Sequence, residues 1–256
     1  MIATPTAPEA LALAPRPLTT RVGTTVRLLF ANPWTPVFTP LLILGIILLM
    51  NLAIWGLVRA NIPADGEMAE GVNGGAFFLF VYMLVVAVQS INQAFPLALG
   101  YGSTRRDFLL GFGVFAVVLS VGYAALLATA AWVEESTGGW GIGLQFFSTD
   151  AIWRSEWLEA FGFGTLLMLL FFGIGAATAA VYVRWRALGM YVFWAGLVFL
   201  GIGGAALVTV LGAWEQVGAF FVWAGVLGTA GWSLVITAFC AVAAWVILRR
   251  ATPSQG

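Results

Sequence analysis

The sequence predicts an all-α integral membrane protein of six transmembrane helices with both termini in the cytoplasm. Three observations predict it. The chain is 61% apolar and 9% charged over 256 residues, whereas a soluble domain carries roughly a quarter charged residues to face water. Its mean hydropathy is +0.99, so its outer surface needs an apolar solvent, which lipid supplies. Finally, the apolar residues form six long unbroken runs, and the arginines concentrate in every second segment between those runs, on one side of them.

Residues 1–17 are rich in Ala and Pro and read as a disordered cytoplasmic tail. The apolar patch Ala10–Ala14 is too short for a signal-peptide core and has no preceding positive charge. Residues 18–34 read as an amphipathic interface helix. Leu18, Val22, Val26, Leu29 and Phe30 share one face, with Arg21, Thr24 and Arg27 turned away from it. Asn32-Pro33 ends it.

Residues 35–250 form the membrane domain, with runs at Pro36–Val58, Ala76–Leu99, Phe108–Val133, Leu158–Val183, Leu188–Leu211 and Val226–Leu248. Each is long enough for about 30 Å of hydrocarbon, and continuous apolarity favours helices over a barrel. Arg16, Arg21, Arg27, Arg105, Arg106, Arg184, Arg186, Arg249 and Arg250 fall on one side, and only Arg59 and Arg154 on the other. The positive-inside rule places the first group in the cytoplasm. Residues 251–256 are then a cytoplasmic tail.

Between Ala187 and Leu248 the only charge is Glu215. Two spans use about 40–50 of these residues, and a third crossing would put Arg249 and Arg250 outside. Ala213–Gly225 is therefore expected to be a re-entrant or interfacial element on the external side. In the loop before the fourth span, Asp150 is placed to cap a helix carrying Trp153, Trp157 and Phe161, an arrangement that also suits an aromatic belt.

The residue inventory excludes much chemistry. All 11 basic residues are Arg, and His is absent. There is no imidazole base and no His metal ligand, and no lysine for a phosphate-binding loop. The lone Cys240 has no partner for an internal disulfide. No ionisable residue falls near the middle of a span, which argues against a proton-driven pump, a voltage sensor or an intramembrane protease. The remaining polarity is uncharged: Asn51 in the first run, and Gln89, Asn92 and Gln93 before Pro96 in the second. These amides either line a substrate path or bond neighbouring helices. Small residues recur at Gly111/Gly113, Gly173/Gly175, Gly201/Gly203/Gly204 and Gly225/Gly228/Gly231, as close helix packing requires.

The loop between the second and third runs is short and distinctive. Ser103 or Thr104 can cap the following helix, and Asp107 stands three residues beyond Thr104, as in a capping box. The stretch Phe95-Pro-Leu-Ala-Leu-Gly-Tyr-Gly-Ser-Thr-Arg-Arg-Asp-Phe108 resembles the corresponding loop of ABC export permeases of the type-2 family, small actinobacterial members above all. The resemblance extends to the elbow helix, the six spans, the cytoplasmic ends and a re-entrant element before the last span. It implies a plasma-membrane transport subunit that is not itself an enzyme and carries no cofactor. ATP and magnesium would be bound by a separate ABC ATPase subunit. Ser103, Thr104, Arg105, Arg106 and Asp107 would be the loop that docks on that subunit. A second permease copy or a paralogue would complete the pathway, between the first, second and fifth spans. Membrane lipid surrounds it, and no nucleic-acid partner is expected. The loop Glu134–Trp157 is longer and richer in tryptophan than the resemblance implies. Two other readings compete: a membrane scaffold or sensor that does not transport, and a channel or secondary transporter.

Overall fold

The computed structural model describes residues 17–61, 71–72, 74–148 and 156–249. The expected tails apart from Pro17, together with Arg154, Arg250, Asp150 and Trp153, lie outside the described residues. The described chain is almost wholly helical. The helices are α1 (Leu18–Leu29), α2 (Thr39–Asn61), α3 (Phe78–Gly100), α4 (Arg105–Ser136), α5 (Trp157–Val210) and α6 (Trp214–Leu248). A π-helical turn, Trp34–Phe38, leads into α2, and a 3-10 turn, Gly74–Phe77, leads into α3. Two short strands, β1 (Gly71–Val72) and β2 (Leu144–Gln145), pair in parallel. Among the described residues, five helical stretches, α2 through α6 with these lead-in turns, are long and apolar enough to cross a membrane.

α1 ends at Leu29, and Asn32 accepts the Trp34 N–H at 3.2 Å, turning the chain into α2. The entry to α2 needs outside help. Pro40 has no N–H for the Pro36 carbonyl, and the Thr39 N–H bonds Trp34 instead of Thr35. Two tyrosines supply the missing donors. Tyr123 on α4 donates its hydroxyl to the Pro36 and Val37 carbonyls at 2.8 and 3.1 Å, and Tyr82 on α3 donates to Thr35 at 3.1 Å. Beyond this anchor α2 is loosely held. Only Pro40 and Leu44 are buried on it, while Leu49, Met50, Ile54 and Leu57 are exposed.

The core lies where α3 and α4 meet the first half of α5. Phe80, Met83, Phe95, Phe108, Phe115, Met168 and Phe172 are fully buried there. Phe172 meets Phe112 and Phe115 edge-on at 6.5 and 6.3 Å. Gly175 lets α5 approach α3: a Cβ there would lie 2.6 Å from the Leu84 carbonyl oxygen. The run Gly201/Gly203/Gly204 behaves differently, since a Cβ at any of the three meets nothing within 4 Å.

The runs expected as a fourth and a fifth span form the single stretch α5, broken at Arg186 (φ 55, ψ −146). A Cβ on Gly189 would lie 3.2 Å from Val181 Cγ1. Along an uninterrupted helix eight residues span about 12 Å, so the chain doubles back at Arg186. The expected four-residue loop is thus a one-residue break. α6 has a similar interruption at Gly225 (φ 65, ψ −175), a conformation suited to glycine. A short arm, 214–224, therefore precedes the apolar length 226–248, in the place of the expected element Ala213–Gly225.

Residues 226–248 pack on the first half of α5. Gly162 faces Leu227, the Ser233 hydroxyl donates to the Leu166 carbonyl at 3.5 Å, and Gly173 faces Thr237 and Cys240. Both segments thus run in the same direction. Residues 187–210, roughly 36 Å long, return the chain between them. That return helix is largely exposed: Tyr191, Phe199, Leu200 and Val210 are all at least 74% exposed.

Candidate functional site: the arginine turn and its anchors

The turn between α3 and α4 is fully specified by its backbone. Gly102 has φ +81. The Gly102 N–H bonds the Leu99 carbonyl at 3.0 Å and the Ser103 N–H bonds the Ala98 carbonyl at 2.9 Å. This is a Schellman cap with glycine at its left-handed position. Two residues later α4 begins with a capping box. The Thr104 hydroxyl accepts the Asp107 N–H at 3.2 Å, and the Asp107 carboxylate accepts the Thr104 N–H at 3.4 Å. The spacing had predicted this box. Phe95 and Phe108, one from each helix, meet edge-on beneath it at 5.2 Å.

α1 adds a third element. Arg21 forms an ion pair with Asp107 and also donates to the Thr104 hydroxyl at 3.3 Å. One turn along, Thr25 is buried against Gly111 of α4, where a Cβ would lie 2.6 Å from the Thr25 Cβ. Phe30 then stacks edge-on against Phe115 at 4.8 Å. The sequence places Arg21 on the face turned away from the apolar one. In the structure the side that carries Arg21, Thr25 and Leu29 packs on α4, because a buried carboxylate and a glycine receive it.

The five loop residues expected to meet a partner therefore divide. Asp107 is 1% exposed and is held by Arg21. Arg105 is half-buried, and its guanidinium donates to the Arg249 carbonyl at the end of α6, at 2.6 Å. Such a donor satisfies one of the last carbonyls of a helix. Ser103 is half-buried, and Thr104 and Arg106 are exposed. The outward surface of the turn is formed by Tyr101, Thr104 and Arg106, and its inner residues bind α1, α4 and α6 together.

The amides expected along a path are spread over two helices. Gln89 and Gln93 are exposed, one turn apart on α3. Asn92 is half-buried, and its Oδ1 is buried without a hydrogen-bond partner. Asn51 on α2 donates to the Ile47 carbonyl at 2.8 Å.

A second polar cluster lies at the far end of α4. Glu134 is fully buried. Its carboxylate accepts the N–H groups of Phe146, Phe147 and Ser148, the Ser148 hydroxyl and the Trp140 indole N–H, at 2.6 to 3.1 Å. A chain of positive-φ residues (Gly138, Gly139, Trp140, Gly141, Gly143) wraps the loop around it. Leu144, Phe146 and Phe147 are buried beneath. Trp157 at the start of α5 stacks on Phe161 at 5.2 Å and donates to Thr129 of α4 at 3.2 Å. The glycines between Thr137 and Leu144 were a visible signal of a tight loop, but nothing in the sequence marked Glu134 as its centre.

Comparison finds no match to this chain among family models, curated proteins or solved structures.

Proposed function

We propose that the chain is the permease subunit of an ATP-driven exporter and that it meets its ATPase subunit through the turn at 101–107. The observation that carries this reading is the construction of that turn. Two helix caps, a buried ion pair and a bond to the end of α6 tie three membrane helices and α1 to one short turn. A turn so fixed transmits force to α3, α4 and α6 together, while Thr104 and Arg106 stay outward for a partner to grip. Such a subunit has no ATP site of its own.

In this reading the chain crosses the plasma membrane six times with both ends cytoplasmic. The return at Arg186 and the parallel run of 162–173 with 227–240 support six crossings over five. The arm 214–224 is then the re-entrant element before the last crossing. A second copy, or a paralogue, covers the open faces of α2 and of residues 187–210, and the three open glycines at 201–204 suit close approach of another helix. The path between the subunits is lined by Asn51, Gln89, Asn92 and Gln93.

The test is a pull-down of the full chain from detergent extract, followed by ATPase assays on what accompanies it. An ABC ATPase is expected to co-purify, and Arg106→Glu should lose it while melting at the wild-type temperature. Unchanged ATPase recruitment by Arg106→Glu would remove the turn from the interface. Recovery of a cytosolic partner without ATPase activity would favour a scaffold.

A further inference from the structure

Between α4, the first half of α5 and the end of α6 lies an apolar cleft of about 590 Å³. Leu110, Gly113, Val117, Phe172, Ala241 and Trp245 line it. The one hydroxyl in its wall, Thr237, is spent on the Ser233 carbonyl at 2.9 Å. A water molecule there would find no adequate set of partners. A polar solute would lose its hydration without compensation. The wall suits hydrocarbon.

One end of the cleft is strongly basic. Arg106 lies one turn before Leu110 on α4, and Arg249 one turn after Trp245 on α6. Arg105 joins these two ends through its bond to the Arg249 carbonyl. The carboxylate nearest in sequence, Asp107, is turned inward to Arg21. From Leu110 to Val118 the wall of the cleft runs about 12 Å along α4, room for the upper part of an acyl chain below a headgroup at the arginines.

We infer that this cleft holds an anionic phospholipid from the leaflet on the arginine side. One acyl chain enters between α4 and α6, and the phosphate lies against Arg105 and Arg106. Arginine suits that role because its planar fork matches phosphate oxygens in pairs. A basic rim above an apolar groove between membrane helices favours an anionic over a neutral lipid. This inference does not rest on the exporter reading, because it needs neither an ATPase nor transport.

The test is native mass spectrometry of the full chain in detergent, titrated with phosphatidylglycerol or with phosphatidylcholine of the same acyl chains. Phosphatidylglycerol should be retained in preference. Arg105→Gln with Arg106→Gln should weaken it roughly twenty-five-fold, at a factor of about five per arginine, and should weaken phosphatidylcholine, whose choline cation offsets its phosphate, by less. Arg106→Gln alone preserves the bond from Arg105 to α6 and should show about one such factor. Gly113→Leu fills the cleft at a position where a Cβ meets nothing within 4 Å, and should lower retention of both lipids in a protein that still elutes and melts as the wild type. Equal retention of the two lipids by the wild type would overturn the inference. So would unchanged phosphatidylglycerol binding by Gly113→Leu.

Discussion

Arg21 on α1 and Asp107 on α4 form an ion pair in which the carboxylate is almost wholly buried and the guanidinium reaches it from a partly exposed position. Asp107 also completes the cap of its own helix. One side chain thus closes α4 at its first turn and anchors α1 to it. Removing Arg21 would leave a buried carboxylate with only its cap donors. A fully buried pair broken in this way costs about 3–5 kcal/mol. The Arg21 side chain is 37% exposed, so water takes part of its place and about 2 kcal/mol is expected. Arg21→Met should lower the melting temperature in detergent, and Arg21→Met with Asp107→Asn should lose less than the two single changes added. Strict additivity would show that the pair has no coupling.

Gly111 tests the same junction sterically. A side chain there collides with Thr25 and with the Val22 carbonyl. Gly111→Val is expected to lift α1 from α4, destabilise the protein by about 1–3 kcal/mol, and expose the peptide bonds after Arg21 and Arg27 to trypsin. Adding Thr25→Gly should restore part of the protection. A protected α1 in Gly111→Val would mean that the helix is held elsewhere.

The long apolar helices and the cap at Thr104 were legible for a shared reason: both are written in local spacing. Long apolar runs give helices long enough to cross a membrane, and a Thr followed three residues later by Asp gives the cap. Features made by distant residues were not legible. Asp107 reads as a capping residue that the resemblance also assigns to the docking loop, and its burial against Arg21, far away in the chain, is not written in that spacing. Arg186 reads as part of a loop, yet a single residue of unusual backbone suffices for the reversal there. The amides of α3 divide by exposure, and Asn51 bonds within its own helix, which composition could not foresee. The glycines at 201–204 look the same in sequence as Gly111 and Gly175, and only the fold separates those in contact from those left open.

The tyrosines at the entry to α2 carry a graded prediction. Tyr123 serves two carbonyls and is 5% exposed, while Tyr82 serves one and is less buried. Tyr123→Phe strands the Pro36 carbonyl, whose usual donor Pro40 cannot provide. It should cost about 1 kcal/mol, and Tyr82→Phe less, both read from denaturant midpoints. The reverse order would show that the carbonyls find water in place of the hydroxyl.

Glu134 carries the sharpest prediction, because its donors include three consecutive backbone N–H groups that meet one buried carboxylate. An amide in its place keeps the shape but turns one oxygen into a donor, which must then face other donors. Glu134→Gln should therefore open the loop locally at a cost of about 2–3 kcal/mol, the range for stranding buried donors. Local opening is what hydrogen exchange reads. The amides of Phe146, Phe147 and Ser148 should exchange roughly a hundredfold faster at that cost. Amides in the middle of α4 should keep their rates, because Tyr123 and the phenylalanine core hold that helix independently. Equal acceleration throughout α4 would mean that Glu134 supports the whole helix and not the loop. No acceleration at residues 146–148 would mean that the buried aromatics alone hold the loop in place.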